Sequence, residues 1–177
     1  MKKITMSVLS IFCFIAFIVG CTTTATNKDV IQTGVVKIQK NKVIYVIKSD
    51  DGSFDGKVYN GSGVAITNMF SVNLRPYASN VIIASSKNSW QEYVSDAKKN
   101  NAYYIIKPTI MHWEPRAAAW SGVPTRSEIN VSVYDVAAAK EVINRTIAIK
   151  GRAMTFSNQS AEKLSDGIIK KFCEDIF

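Results

Sequence analysis

His112, Trp113 and Glu114 stand side by side, and Arg116, Trp120 and Arg126 follow within a dozen residues. His112 is the chain's single histidine, and Trp113 and Trp120 are two of its three tryptophans. An imidazole titrates near neutrality, so a carboxylate beside it makes a candidate acid–base pair. In an extended strand residues 112 and 114 project from the same face, which would let the two groups meet. That reading describes a hydrolase of the His112/Glu114 type. It lacks a Ser or Cys nucleophile beside the pair in sequence, so a hydroxyl from elsewhere in the fold would have to supply one. The aromatic and guanidinium groups point elsewhere, because Trp and Arg dominate interface energetics. Trp113 and Trp120 either cap the end of a sheet or, with Arg116, Arg126 and Tyr59, form a recognition surface for a protein or a sugar polymer. Recognition without catalysis is the reading adopted.

Other motifs are weaker. Gly61-Ser62-Gly63 opens a helical pattern, and its amides could hold an anion. It has neither the third glycine of a dinucleotide fingerprint nor the Lys-Ser/Thr of a P-loop, so a capped helix start is the plainer reading. Asp50, Asp51 and Asp55 do not have the spacing of a calcium loop. One histidine and no spaced ligand set imply no metal site and no cofactor. Cys173 lies in an amphipathic pattern and reads as a buried apolar residue.

These residues need a scaffold, and the hydrophobic pattern supplies one. Residues 22–28 read as tether and Val35–Ile38 as extended chain or a short strand. Lys42–Lys48 is apolar on both faces, like a central strand. The stretch 49–63, rich in Gly and Asp, reads as a loop. Ile66, Met69, Phe70, Leu74 and Tyr77 then follow helical spacing as far as Pro76. A buried strand is expected at 80–85. Ser89 and Glu92 form a capping box ahead of a stripe of Trp90, Tyr93, Val94 and Ala97, and Asn100 and Asn101 suit the cap that ends it. Residues 102–114 read as a strand whose Pro108 must lie at an edge or a bulge, and 115–127 as a loop. Residues 128–136 alternate, with Ile129, Val131 and Val133 on one side and Asn130 and Ser132 on the other. A turn at 137–140 returns the chain as strand 141–151. A last helix from Ser160 carries Leu164, Ile168, Ile169, Phe172, Cys173 and Ile176 on one face. The order β-α-β-α-β-β-β-α predicts an α/β (α+β) domain over 42–177: one mixed sheet of about five strands with about three helices packed on it.

The start of the chain concerns destination. Met1-Lys2-Lys3 precedes a mostly apolar, uncharged stretch from Ile4 to Val19, the layout of a secretory signal. Its final residues, Ile18-Val19-Gly20-Cys21, resemble the lipobox of bacterial lipoproteins. The resemblance implies cleavage between Gly20 and Cys21 and lipidation of Cys21, with 1–20 as signal peptide and 21–41 as lipidated cysteine and tether. Two or three acyl chains would then hold the protein to a membrane, since each buried CH₂ contributes about 0.8 kcal/mol. By resemblance to the sorting rule of Gram-negative lipoproteins, Thr22 in place of Asp implies no retention in the inner membrane, hence an expected outer-membrane anchor and a domain facing the periplasm. Loss of Lys2 and Lys3 with the leader lowers the formal charge from +8 to +6. Such a domain suits anionic headgroups, cell-wall carboxylates or an acidic protein, and export argues against nucleic acid. With Cys13 in the leader and Cys21 lipidated, Cys173 has no partner for an internal disulfide.

Three patches, Gly56-Lys57-Val58-Tyr59 with Gly61-Ser62-Gly63, then His112-Trp113-Glu114 with Trp120-Ser121-Gly122, then the strand 128–136, resemble a family of small proteobacterial envelope lipoproteins catalogued as a domain of unknown function. The strand order also looks like the TolB N-terminal domain and the lipoproteins that activate cell-wall synthases. The resemblance implies a lipid-anchored envelope protein and carries over no catalytic residue. The expected function is that of a non-enzymatic accessory or binding lipoprotein with a protein or peptidoglycan partner. The alternatives are a small-ligand-binding or stress-sensing envelope domain, and a hydrolase built on His112 and Glu114.

Overall fold

The computed structural model of the chain describes residues 25–28, 36–85, 89–115, 124–151 and 160–177. Its elements are β1 (Ala25–Lys28), β2 (Val43–Val46), β3 (Ser53–Phe54), β4 (Lys57–Val58), α1 (Ser62–Leu74), β5 (Asn80–Ile83), α2 (Trp90–Lys99), β6 (Tyr104–Glu114), β7 (Arg126–Asp135), β8 (Lys140–Lys150) and α3 (Ala161–Ile176). The main sheet runs β1-β8-β7-β6-β2-β5. β2 pairs in parallel with β5 on one side and β6 on the other, and β6, β7 and β8 form an antiparallel meander. Omitting β1 and the two-residue strands leaves the expected order, five strands and three helices in a mixed α+β sheet.

Two local expectations change, and one open alternative closes. Residues 36–39 form no strand; Ile38 is buried and donates its amide to the Ile176 carbonyl at the end of α3, at 2.8 Å. Ala25–Lys28, inside the stretch read as tether, pairs with β8 as an edge strand. The Gly/Asp-rich stretch folds into the small β3–β4 hairpin, because Asp55 and Gly56 both take positive φ and reverse the chain there.

The core lies on both faces of the sheet. On one face α1 and α3 bury Ile66, Phe70, Ile169 and Phe172 against Ile44, Val131 and other strand residues. On the other, α2 packs Tyr93 and Ala97 on Tyr45, Ile47 and Ile105. β2 is therefore apolar on both sides because it is covered on both sides. β7 is covered on one: Ile129, Val131 and Val133 are fully buried, while Asn130 turns outward and donates to Asn144 Oδ1 across the ladder at 2.8 Å.

β6 changes parity along its length. Tyr104 and Ile106 face α1 and α3, but the register shifts between Ile110 and His112, and beyond it Trp113 takes the inward position. The extra residue is Met111, 63% exposed. A β-bulge has this effect, moving the buried set from even to odd positions. Pro108 lies before the bulge, two residues after the last pairing with β2 at Ile106, where the free edge asks for no donor.

The capping box of α2 is present: Ser89 Oγ accepts from the Glu92 amide at 3.3 Å and Glu92 Oε2 accepts from the Ser89 amide at 2.8 Å. Ser89→Ala should cost about 1 kcal/mol of stability in urea melts, with the loss confined to α2 in hydrogen exchange. Asn101 takes the left-handed conformation just beyond the helix. From the sheet, Tyr45 donates its hydroxyl to Asp96 Oδ2 of α2 at 2.8 Å. Burial, and then the Asp96 carboxylate, push the phenol from 10.0 up to about 12. The unfolded chain ionises Tyr45 first, so this contribution is complete below pH 10.0 and is lost as pH rises through about 12. Wild type should therefore lose melting temperature faster than Tyr45→Phe across that interval. Parallel curves for the two proteins would contradict the assignment.

Candidate functional site

The parallel strands β2 and β6 run toward the same end of the sheet, where ligands of open α/β sheets characteristically bind. The segment that follows β2 is tied down there by side chains. Asp51 Oδ1 accepts from the amides of Gly61 (3.1 Å) and Gly63 (2.8 Å). Ser62 Oγ accepts from the Gly52 amide (2.8 Å) and donates to the Tyr59 carbonyl (2.7 Å). Thr67 Oγ1 accepts from the Ser49 amide (3.0 Å) and donates to the Gly63 carbonyl (2.7 Å). The first amides of α1, read from sequence as a potential anion site, are thus occupied by the protein's own carboxylate.

Two glycines allow this closure. Gly52 rests on β6 so closely that a Cβ there would lie 2.5 Å from Trp113 Cβ. Gly63 rests on the chain after β2, where a Cβ would come 2.4 Å from the Ser49 carbonyl oxygen. The hairpin is thereby pressed against the end of β6, and a hollow of about 420 Å³ opens between it, the start of α1 and the first turn of α3. Its walls include Lys57, Tyr59, Asn60, Trp113, Pro115 and Glu162. The Lys57 ammonium lies 5.1 Å from the centroid of the Tyr59 ring.

Two of the residues singled out from sequence, Tyr59 and Trp113, therefore meet in one hollow. Trp113 is 1% exposed and forms wall rather than an exposed anchor, and Tyr59 is half-buried. Arg126 belongs to β7, opposite Glu114, and is exposed on the other face of the sheet. Gly20, Cys21, Arg116 and Trp120 lie outside the described residues. Asn60 and Glu162 join the site only through the fold, since nothing in their spacing relates them to Trp113. Trp90, assigned from sequence to a helix stripe, is 38% exposed and stands edge-on to Tyr134 at 5.1 Å. As the first residue of α2 it sits where the helix has barely reached the sheet.

His112 and Glu114 do meet, with Nε2 and Oε2 3.1 Å apart, and the His112 ring stands edge-on to Phe54 at 5.1 Å. The carboxylate side chain is 8% exposed and the imidazole 33%. Ser127 is near in the ladder but pairs with Trp113 and is buried on the core face, opposite to the face that carries His112. Cys173 is buried between helix and sheet, and burial pushes its thiol up to about 12, far from a reactive thiolate. Among the described residues no group of three or more metal-ligating side chains forms, and no helix is long and apolar enough to cross a membrane.

With this geometry in view, comparison with known proteins places the chain. The family described as a domain of unknown function, DUF4823, matches residues 36–175. The chain belongs to the DUF4823 family. No curated protein matches the sequence. In structure the DUF4823 domain is similar to a subunit of the PelC dodecamer from Paraburkholderia phytofirmans, with TM-score 0.64 and 13% identity, covering 88% of this chain and 97% of PelC. Lipoprotein GNA1162 from Neisseria meningitidis is similar at TM-score 0.48 and 11% identity, over 76% of this chain and 96% of that one. TolB from Acinetobacter baumannii is similar at TM-score 0.42 and 11% identity, over 84% of this chain and 29% of TolB. The likeness to PelC is one of fold and extends over nearly the whole DUF4823 domain.

Proposed function

We propose that this DUF4823 protein is a lipid-anchored accessory lipoprotein of the bacterial outer membrane, with its domain in the periplasm, that recognises a protein or cell-wall partner and catalyses no reaction. The observation that carries the reading is the hollow at the strand ends. It joins an aromatic wall, a lysine and a carboxylate on a frame held by the Asp51, Ser62 and Thr67 hydrogen bonds. Such a pre-formed, chemically mixed concavity suits binding. The lipobox-like residues ending in Cys21 support the anchor, and the likeness in fold to a subunit of the PelC dodecamer supports a domain that works within a larger assembly.

Two measurements test this reading. A photoreactive residue at Asn60, on the exposed rim of the hollow, should give a discrete protein or muropeptide adduct in living cells. Absence of any adduct from a well-expressed, anchored protein would reject the hollow as the contact surface. Cys21→Ser should abolish incorporation of radiolabelled palmitate and release the protein from the membrane fraction. Unchanged fractionation and labelling would reject the anchor.

A further inference from the structure

The two charged groups of the hollow suggest what fills it. Lys57 lies on one wall, on the β3–β4 hairpin, and Glu162 on another, in the first turn of α3. Neither forms an ion pair with any group among the described residues, with each other included. Among the described residues, the face of Tyr59 is what the Lys57 ammonium rests against. Lys57 and Glu162 both border the hollow, from two different elements of the fold.

We infer that the hollow binds a short zwitterionic peptide, its carboxylate on Lys57, its ammonium on Glu162, and its backbone across Tyr59 and Trp113. This rests on the recognition reading above and names the ligand chemistry. Charge decides the class. A purely anionic ligand would meet the Glu162 carboxylate, and a purely cationic one the Lys57 ammonium, whereas a molecule carrying both charges satisfies both walls. Size agrees: a tripeptide spans up to about 10 Å between its ends, within the reach of a hollow of about 420 Å³. A charge-assisted contact at each end fixes direction as well as affinity.

The test uses the full chain in detergent and three probes: trialanine, its N-acetyl derivative and its C-terminal amide. Binding is followed by calorimetry and by tryptophan fluorescence, since Trp113 lines the hollow. Trialanine should bind saturably in the millimolar range or tighter, and blocking either end should weaken it about tenfold. Lys57→Met should bind trialanine as weakly as wild type binds the amide, and should no longer distinguish the two. Glu162→Gln should do the same for the acetylated end, and Lys57→Arg should retain binding. Both side chains reach solvent, so a thermal melt can verify that the variants fold as wild type does. The inference is overturned if trialanine shows no saturable binding, if blocked and free peptides bind alike, or if neither Lys57→Met nor Glu162→Gln changes the discrimination. An adduct at Asn60 without peptide binding would keep the recognition reading and remove the zwitterion. Peptide binding by a protein that fails the Cys21 test would keep the site and remove the anchor.

Discussion

Gly63→Ala should destabilise the domain by at least about 3 kcal/mol, lowering its melting temperature by about 10 °C or more. The new Cβ would sit 2.4 Å from the Ser49 carbonyl oxygen, 2.7 Å from the Asp50 carbonyl carbon and 2.8 Å from its oxygen. These are backbone atoms, so no rotamer change relieves the overlap. Separating the two segments would also stretch the bonds from Asp51 to the Gly63 amide and from Thr67 to the Ser49 amide, because both cross the same contact. Gly56 offers an internal control. It has φ +72, but nothing lies within 4 Å of a Cβ there. Gly56→Ala should therefore cost only the conformational penalty of the left-handed region, about 1–2 kcal/mol. Urea denaturation of the two variants checks the contrast, and equal losses would show that close approach at Gly63 is not what the glycine provides.

Trp113→Ala should cost about 3–5 kcal/mol, the range for truncating a large buried aromatic residue. Trp113 is the largest fully buried side chain among the described residues and sits just past the bulge, under Gly52. Its removal withdraws the floor on which the β3–β4 hairpin rests and enlarges the hollow. Hydrogen exchange should accordingly show early loss of protection at the Tyr59 amide, which donates to the Gly52 carbonyl at 2.9 Å. Trp113→Phe, which keeps a ring in place, should retain most of the stability. A stability loss below about 1 kcal/mol for Trp113→Ala would mean that the hairpin is held by the Asp51 and Ser62 bonds alone.

Much of the scaffold was legible before any coordinates. The capping box at Ser89 and Glu92, the alternation of residues 129–133 and the helical stripe from Leu164 to Ile176 are local signals: each follows from 3.6- or 2-residue periodicity and from orphan amides at a helix start. They recur in the fold as α2, β7 and α3. The pairing of His112 with Glu114 was legible for the same reason, since both lie beyond the bulge and keep the alternation of one strand. Where contacts are distant in sequence, legibility fell away. Ile38 left extended chain and short strand open in sequence; its amide is held by the Ile176 carbonyl at the end of α3, 138 residues on.

The amino-acid sequence by itself determined the class of fold, the element order and the lipobox-like resemblance at Cys21, because periodicity, capping and signal layout are properties of neighbouring residues. Only the tertiary structure decided the site. It brought Tyr59 and Trp113 to one hollow, placed Lys57 and Glu162 on its lining, turned Arg126 to the opposite face, and gave the Gly61 and Gly63 amides to Asp51. The inward position of Trp113 follows from the bulge at Met111, and the close approach of the hairpin rests on two glycines at a crossing of distant segments. A bulge inverts every later position of a strand, and a glycine contact acts through the atoms it lacks, so neither leaves a periodic trace to be read in advance.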